Sequence, residues 1–215
     1  MDALGLLGGT FDPIHYGHLH LAADVAAALE LPCVRLVPAG NPWHRSGRSP
    51  PASRQHRLAM TNLAVDEFPC LGVDGREAAT DAPSYTTETL ASIRAEIGPS
   101  TPILLLLGAD AFVGLPSWKN WRRLFELAHL VLVARPEFAL PDPLPGGLAA
   151  IHDERRIDDP RLLSAGAGRI YVQAVAPQPV SATAIRQMIR EGRRPTGLLP
   201  EAVIRYIDSH GLYRS

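Results

Sequence analysis

The sequence predicts a Rossmann-like α/β fold, with a mainly parallel sheet and helices on both of its faces, in a single domain over residues 1–215. Two observations support this prediction. Short apolar runs alternate with longer amphipathic stretches, as in repeated βαβ units. The run Ile103–Leu107 is apolar at every position, which is typical of a central strand covered on both faces. A chain of 215 residues suits one domain, since domains commonly hold about 100–200 residues.

Glycine and proline residues mark the ends of the elements in the first half of the chain. Gly8 and Gly9 end the first strand, and Gly98 and Pro99 end the last helix before the central strand. In order, we predict a strand at Ala3–Leu7, a helix at His18–Leu29, a strand at Val34–Val37, a helix at Ser53–Val65, a strand at Leu71–Val73 and a helix at Thr86–Ile97.

The second half of the chain continues the alternation and then departs from it. The segment Pro136–Gly168 is rich in Pro, Gly and Asp, so we predict a long excursion with one short helix around Pro160–Ala165. The other predicted elements are a helix at Trp121–Ala128, a strand at Leu130–Ala134, a strand at Ile170–Val172, and closing helices at about 181–210, namely Ser181–Arg190 and Pro200–Ser209.

The composition excludes several classes of protein. Lys and Arg number 21 against 22 Asp and Glu, a net charge of −1, whereas nucleic-acid binding is expected to show a basic excess. No apolar run is long enough to span a bilayer, and the N-terminus lacks a basic signal region. The two cysteines, Cys33 and Cys70, have no metal-site spacing. We therefore expect a cytoplasmic protein without nucleic-acid or membrane partners and without a protein-built metal site.

The segment Gly8–His18, with the sequence GGTFDPIHYGH, follows the first predicted strand and opens the first helix. Open α/β sheets bind phosphate groups at this position. Gly8 and Gly9 let a phosphate approach the backbone, and His15 and His18 share one face if the helix begins near His15. The spacing matches neither a Walker A motif nor the GxGxxG fingerprint, which argues against a dinucleotide-dependent oxidoreductase.

The eleven-residue string resembles the signature of the HxGH nucleotidyltransferase superfamily. Further segments, in their order and spacing, resemble bacterial nicotinate-mononucleotide adenylyltransferases. These segments are Pro38–Arg45, Ser84–Thr86, Gly108–Asp110 with Trp118 eight residues beyond, Ser181–Arg186, and the ending Leu199–Arg214. The chain departs from the family pattern at Ala39-Gly40, where many members carry two Asn, at Trp43, where a Pro is common, and at Lys119, where some members have an aromatic residue.

The resemblance implies a reaction in which ATP and nicotinate mononucleotide give deamido-NAD and pyrophosphate, with Mg²⁺ carried by ATP. It assigns catalysis to His15, His18 and Arg186. It assigns ATP binding to Gly8, Gly9, Thr10, Phe11, Gly17, Gly108, Asp110, Ser181 and Thr183. It assigns mononucleotide binding to His44, Arg45, Tyr85, Thr86 and Trp118. The N-terminus of the helix at Thr86 is expected to recognise the nicotinate carboxylate, with Lys119 as a competing cation.

Alternatives remain open from the residues alone. The acceptor could be nicotinamide mononucleotide or another small phosphate such as phosphopantetheine, and the chain could be a nucleotide-sensing module without catalysis. Ser181 and Thr183 could cap a helix as readily as they could bind phosphate. Asp110 could stabilise a turn as readily as it could accept hydrogen bonds from ribose hydroxyls. The oligomeric state is left open.

Overall fold

The computed structural model describes residues 2–42, 52–134, 140–141, 143–176 and 178–214. The elements within these ranges are β1 (Leu4–Gly9), α1 (Tyr16–Ala28), β2 (Cys33–Pro38), β3 (Asn41–Pro42), α2 (Arg54–Val65), β4 (Leu71–Val73), β5 (Pro83–Ser84), α3 (Thr86–Ile97), β6 (Ile103–Gly108), α4 (Ala109–Val113), α5 (Leu124–Leu127), β7 (His129–Ala134), α6 (Leu148–Arg155), β8 (Arg156–Ile157), β9 (Ile170–Ala174), α7 (Ala182–Arg190) and α8 (Glu201–Ser209). Short 3-10 turns occur at Leu115–Ser117, Trp121–Arg123 and Pro160–Leu163.

Seven strands form one sheet in the order β4-β2-β1-β6-β7-β9-β8, and β3 pairs with β5 in a small second sheet. The pairs β1–β6, β6–β7, β7–β9 and β8–β9 are parallel. The strand order reverses at β1, which has β2 on one side and β6 on the other. This architecture confirms the predicted fold class.

The chain divides into two compact units. Unit 1 comprises residues 1–7, 24–34 and 85–177, and unit 2 comprises residues 8–23, 35–84 and 178–215. Each unit draws on three separate stretches of the chain, and the boundaries pass through β1 and β2. The prediction of a single domain is not tested by this division and stays a prediction.

In unit 1, the core lies around β6, as its apolar sequence predicted. Residues 103–107 are at most 6% exposed, because β6 has a parallel neighbour on each edge and side chains over both faces. Trp121 and Phe125 are each 6% exposed and lie edge to face. At the end of α3 the Arg94 guanidinium donates to the carbonyls of Gly98, Thr101 and Leu127.

In unit 2, α2 and α8 pack together. Ser53 caps α2 by accepting a hydrogen bond from the His56 amide at 3.3 Å. One face of α2 is buried and carries Arg57 and Met60. The contact with α8 includes one polar pair, in which His56 Nδ1 lies 3.0 Å from the Tyr206 hydroxyl.

Most predicted elements are confirmed, and several regions differ. The two-residue strands β3 and β5 were not predicted. The predicted helix Trp121–Ala128 is a 3-10 turn followed by the four-residue α5, and left-handed Asn120 (φ 54°) precedes the turn. The excursion holds the predicted short helix as a 3-10 turn at Pro160–Leu163, but also α6 and β8, which were not predicted. The chain also forms α4 directly after β6.

The described residues contain no helix that is both long enough and apolar enough to span a membrane.

Candidate active site

The loop after β1 is shaped by its two glycines in different ways. A Cβ on Gly8 would meet nothing within 4 Å, and the residue is exposed. A Cβ on Gly9 would lie 2.6 Å from the Phe11 ring, so this position has room only for glycine. The loop therefore has one glycine that leaves the backbone open and one that lets Phe11 fold against the chain.

Phe11 adopts a left-handed backbone conformation, with φ at 49°, although it is not glycine. Its ring is only 2% exposed and meets the His18 ring edge to face at 5.0 Å. Left-handed conformations are costly for bulky residues and concentrate at functional sites. Burial of the ring compensates this strain and sets the path of the chain toward His15.

His15 and His18 form a stacked pair at the start of α1. Their ring centroids are 3.8 Å apart at an interplanar angle of 24°. The His15 carbonyl accepts hydrogen bonds from the amides of His18 and Leu19, so His15 stands immediately before the first turn. Gly17 supplies the space, because a Cβ there would lie 3.0 Å from the His15 ring. The two rings lie together, as their three-residue spacing predicted.

Arg186 extends from α7 to the same loop. Its Nη1 donates to the Asp12 carbonyl at 2.6 Å, and its Nη2 donates to Thr183 Oγ1 at 3.3 Å. Its Nε is buried and has no hydrogen-bond partner among the described residues. Unit 2 therefore brings Arg186 and the histidine pair to one loop, although about 170 residues separate them in the chain.

Ser181 caps α7, since its hydroxyl accepts from the Ala184 amide at 3.2 Å. The Thr183 hydroxyl accepts from Arg186. Ser181 therefore caps α7, and phosphate binding by Ser181 and Thr183 stays a prediction. Both residues are exposed.

Sequence reasoning missed Arg57, which is 1% exposed. Its guanidinium donates to the carbonyls of Thr10 at 2.7 Å, Gly40 at 2.8 Å and Ala52 at 3.3 Å. It thus ties the loop after β1 to the loop after β2. Its position on an apolar helix face gave no sequence signal beyond the cost of burying a charge.

The motif residue Asp12 is 2% exposed, and its carboxylate Oδ1 accepts a hydrogen bond from the Tyr213 hydroxyl at 2.6 Å. Burial and the Asp12 carboxylate both raise the pKa of Tyr213, and the charges of Arg186 and Arg57 oppose that shift. Tyr213 is therefore protonated at neutral pH, and its hydroxyl is a donor there.

Gly40, one of the departures from the family pattern, is required by its surroundings. Its amide donates to Ser84 Oγ at 3.0 Å, and a Cβ would overlap the Glu77 carbonyl oxygen. An asparagine at this position would need the neighbouring chain to move. His44, Arg45 and Trp43 lie outside the described residues.

The remaining predicted residues lie in unit 1. Tyr85 precedes α3 as its N-cap residue without a side-chain cap bond. Lys119 Nζ donates to Glu88 Oε1 at 2.8 Å and lies 4.0 Å above the Tyr85 ring. Trp118 is half-buried, and Asp110 is exposed in the first turn of α4. Gly108 at the end of β6 is exposed, with nothing within 4 Å of an added Cβ.

No group of three or more metal-ligating side chains is assembled within the part of the chain that the structure describes. Mg²⁺ commonly binds through one or two carboxylates together with substrate phosphates. A Mg²⁺ ion carried by ATP stays a prediction.

Comparison with known proteins finds a matching family model and similar proteins that bear the same name. The family model described as cytidylyltransferase-like matches residues 6–188. A Pseudomonas syringae pv. tomato protein named "Probable nicotinate-nucleotide adenylyltransferase" is 46% identical over 214 residues, covering 99% of this chain and 94% of that protein. A Dechloromonas aromatica protein of the same name is 44% identical over 216 residues, covering 100% and 99%.

Solved structures match the fold. The structure of Plasmodium falciparum nicotinic acid mononucleotide adenylyltransferase complexed with NaAD aligns with a TM-score of 0.71 at 16% identity, covering 99% of this chain and 98% of that one. The same enzyme complexed with APC aligns with a TM-score of 0.70. At this identity the likeness concerns the fold.

Proposed function

The chain belongs to the cytidylyltransferase-like family, and from that membership we propose that it transfers the adenylyl group of ATP to nicotinate mononucleotide, giving deamido-NAD and pyrophosphate. The observation that carries the proposal is the stacked His15–His18 pair at the start of α1, with Arg186 bonded to the same loop. Full-length relatives at 42–46% identity that bear the name of this activity support the choice of substrates.

In this reaction the 5′-phosphate of the mononucleotide attacks the α-phosphorus of ATP. A new P–O bond forms while the bond to pyrophosphate breaks in line. A phosphomonoester has a second pKa of about 6, so the attacking group is largely ionised at neutral pH and needs no strong general base. Catalysis then depends on positioning and on stabilising negative charge on the phosphates.

The residues of unit 2 suit this task. His15 and His18 donate to phosphate oxygens, and the N-terminus of α1 adds a partial positive charge beside them. Arg186 neutralises developing charge on the departing pyrophosphate. Backbone groups of Gly8, Gly9, Thr10 and Phe11 line the triphosphate, with Gly17 giving space and Ser181 and Thr183 shaping the start of α7.

In unit 1, Asp110 accepts from ribose hydroxyls and Gly108 leaves the end of β6 open. Trp118 stacks on the pyridine ring, and the N-terminus of α3 at Tyr85 and Thr86 receives the nicotinate carboxylate. We keep His44 and Arg45 as predicted ligands of the mononucleotide phosphate. Mg²⁺, when bound with ATP, screens the charge of the triphosphate. The cytoplasmic location and the absence of nucleic-acid and membrane partners remain predictions.

The test is pyrophosphate release from ATP with nicotinate or nicotinamide mononucleotide, with the product identified by mass. The amide group of nicotinamide mononucleotide, placed at the N-terminus of α3, would leave a buried backbone N–H unpaired. It would also gain less from the helix dipole than a carboxylate does. We therefore expect a preference for the acid of roughly 30- to 1,000-fold in kcat/KM, from about 2–4 kcal/mol. Equal rates would contradict the nicotinate assignment, and no release with either acceptor would contradict enzyme function.

Lys119→Ala separates the two candidate sources of this preference. Lys119 is exposed and already bonded to Glu88, so we expect the acid preference of this variant to stay close to the wild-type value. Loss of the preference in this variant would instead assign carboxylate recognition to Lys119.

A further inference from the structure

We propose that Tyr213 is a positioning residue for adenylyl transfer: its hydroxyl, through the buried Asp12 carboxylate, holds the loop that carries His15 and His18. The inference rests on the proposed function for its kinetic consequence. It adds a residue, far along the chain from the signature loop, on which the reaction depends.

The first support is the environment of the Asp12 carboxylate. The side chain is 2% exposed, and Tyr213 donates to Oδ1 at 2.6 Å. The other oxygen, Oδ2, is buried and has no hydrogen-bond partner among the described residues. A buried carboxylate depends strongly on each hydrogen bond it receives. Without the Tyr213 hydroxyl, no hydrogen bond to this carboxylate remains in the described part of the chain.

The second support is that Asp12 is held from both its side chain and its backbone. Its carbonyl accepts from Arg186 Nη1 at 2.6 Å while its carboxylate accepts from Tyr213. Two residues separate Asp12 from His15. A shift of Asp12 is therefore transmitted directly to the histidine pair and to the side chain of Arg186.

The third support is the conformation of Tyr213 itself. Its φ is 65°, in the left-handed region, and the residue is only 6% exposed. Such a conformation is unfavourable for a tyrosine unless tertiary contacts impose it. Burial raises the pKa of the hydroxyl, so it is protonated and can donate to Asp12 at neutral pH.

Tyr213→Phe tests the inference, with Tyr206→Phe as the matched control. Both substitutions remove one hydroxyl from the C-terminal part of unit 2, but Tyr206 bonds to His56 on α2 and not to the loop. We expect kcat to fall roughly 10- to 100-fold in Tyr213→Phe, the loss typical of reacting groups displaced by up to about 1 Å. KM for ATP and the folded fraction should change little, and Tyr206→Phe should keep the wild-type kcat.

A readout independent of activity is the set of histidine ring signals in NMR spectra, assigned by single His→Gln variants. The signals of His15 and His18 should shift in Tyr213→Phe and stay in place in Tyr206→Phe. This measurement remains decisive if the wild-type enzyme releases no pyrophosphate, an outcome that would contradict the proposed function but not the positioning role.

Asp12→Asn completes a double-mutant cycle. The amide oxygen can still accept from Tyr213, but the charge that needs a donor is gone. Removing the hydroxyl should therefore cost less in this background than in the wild type, so that the double variant loses less than the product of the single losses. Multiplicative losses, unshifted histidine signals, or a kcat loss that equals the unfolded fraction would each overturn the inference.

Discussion

His18 has aromatic neighbours on two sides, the His15 ring at 3.8 Å and the edge of Phe11 at 5.0 Å. The ring is therefore held in one orientation before substrate arrives. We expect His18→Ala to lower kcat by roughly 10²–10³, the usual loss for one donor to a developing oxyanion, with little change in the KM for nicotinate mononucleotide.

The matched control for this prediction is His20→Ala. His20 lies on the same helix and stacks on Tyr16 at 5.4 Å, but it belongs to no proposed binding set. It should keep the wild-type kcat. A His18→Ala enzyme with near wild-type kcat would remove His18 from the catalytic set.

At the scale of single residues, the sequence predicts side chains inside a compact motif and misses those that act through tertiary contact. The segment 8–18 carries its own spacing, so the proximity of His15 and His18 follows from local geometry. Arg57 and Tyr213 meet that segment through folding alone, across 47 and 201 positions. The ending Leu199–Arg214 contributes to the resemblance, but the sequence assigns neither Arg57 nor Tyr213 a contact with the loop.

At the scale of elements, the first turn of α1 carries a glycine that opposes helix stability. Alanine at position 17 would improve helix propensity by about 1 kcal/mol, but its Cβ would lie 3.0 Å from the His15 ring. In urea titrations we expect the free energy of unfolding of Gly17→Ala to be close to that of the wild type or above it. We expect the variant to lose activity, because the His15 ring must move.

Ala27→Gly is the opposite change on the same helix. Ala27 is exposed, lies near the end of α1 and is outside the proposed site, so this variant should lose at most about 1 kcal/mol of stability and keep its kcat. If Gly17→Ala retained full activity, the packing of Gly17 against His15 would have no catalytic role.

The elements that were not predicted from the sequence are either very short or lie where the sequence gives no helix signal. Strands β3 and β5 have two residues each, too few for any periodicity. Helix α4 begins directly after β6 without a connecting turn. Helix α6 follows left-handed Gly147 inside the Pro- and Gly-rich excursion, where composition predicted irregular chain. The long helices and apolar strands, by contrast, follow from periodicity and glycine placement.

At the scale of the whole molecule, His129 makes stability depend on pH. It is fully buried at the start of β7 and accepts a hydrogen bond from the Arg169 amide at 3.2 Å. Burial lowers the pKa of its imidazole, and the charges of Arg169 and Arg94 add to this shift, while backbone contacts at Ala165 and Gly166 oppose it. Below the unfolded value of about 6.5 the unfolded chain takes up a proton more readily than the folded one. The contribution of His129 to the free energy of unfolding is therefore fully present above that pH. It is lost as the pH decreases toward the pKa of His129 in the folded protein.

His129→Asn checks this dependence, because the amide oxygen can replace Nδ1 as acceptor while the titrating group is removed. Urea unfolding at pH 7.5 and 5.5 should show a smaller difference in unfolding free energy for the variant than for the wild type, whatever its absolute stability. Equal differences would show that other groups cause the loss of stability.

The fold class follows from the sequence because β6 and its neighbours have an apolar pattern that only a covered parallel sheet satisfies. The division into two units does not follow from the sequence, because each unit consists of three stretches that are distant in the chain. Local patterns carry no information about which stretches meet. The histidine pair and Arg186 were predicted for one site through resemblance. The contacts that join Arg186 and Tyr213 to Asp12 required the folded chain.

The bond between Asp12 and Tyr213 also has a consequence in time. The two residues are 201 positions apart, and a ribosome adds about 5–20 residues per second. A nascent chain thus carries its complete signature loop for roughly 10–40 s before the tyrosine that secures it has been made. A chain that stopped before Tyr213 would contain the whole signature motif and still lack the contact that holds it in place. Synthesis of Tyr213, and not of the motif, is therefore the earliest point at which this contact can form.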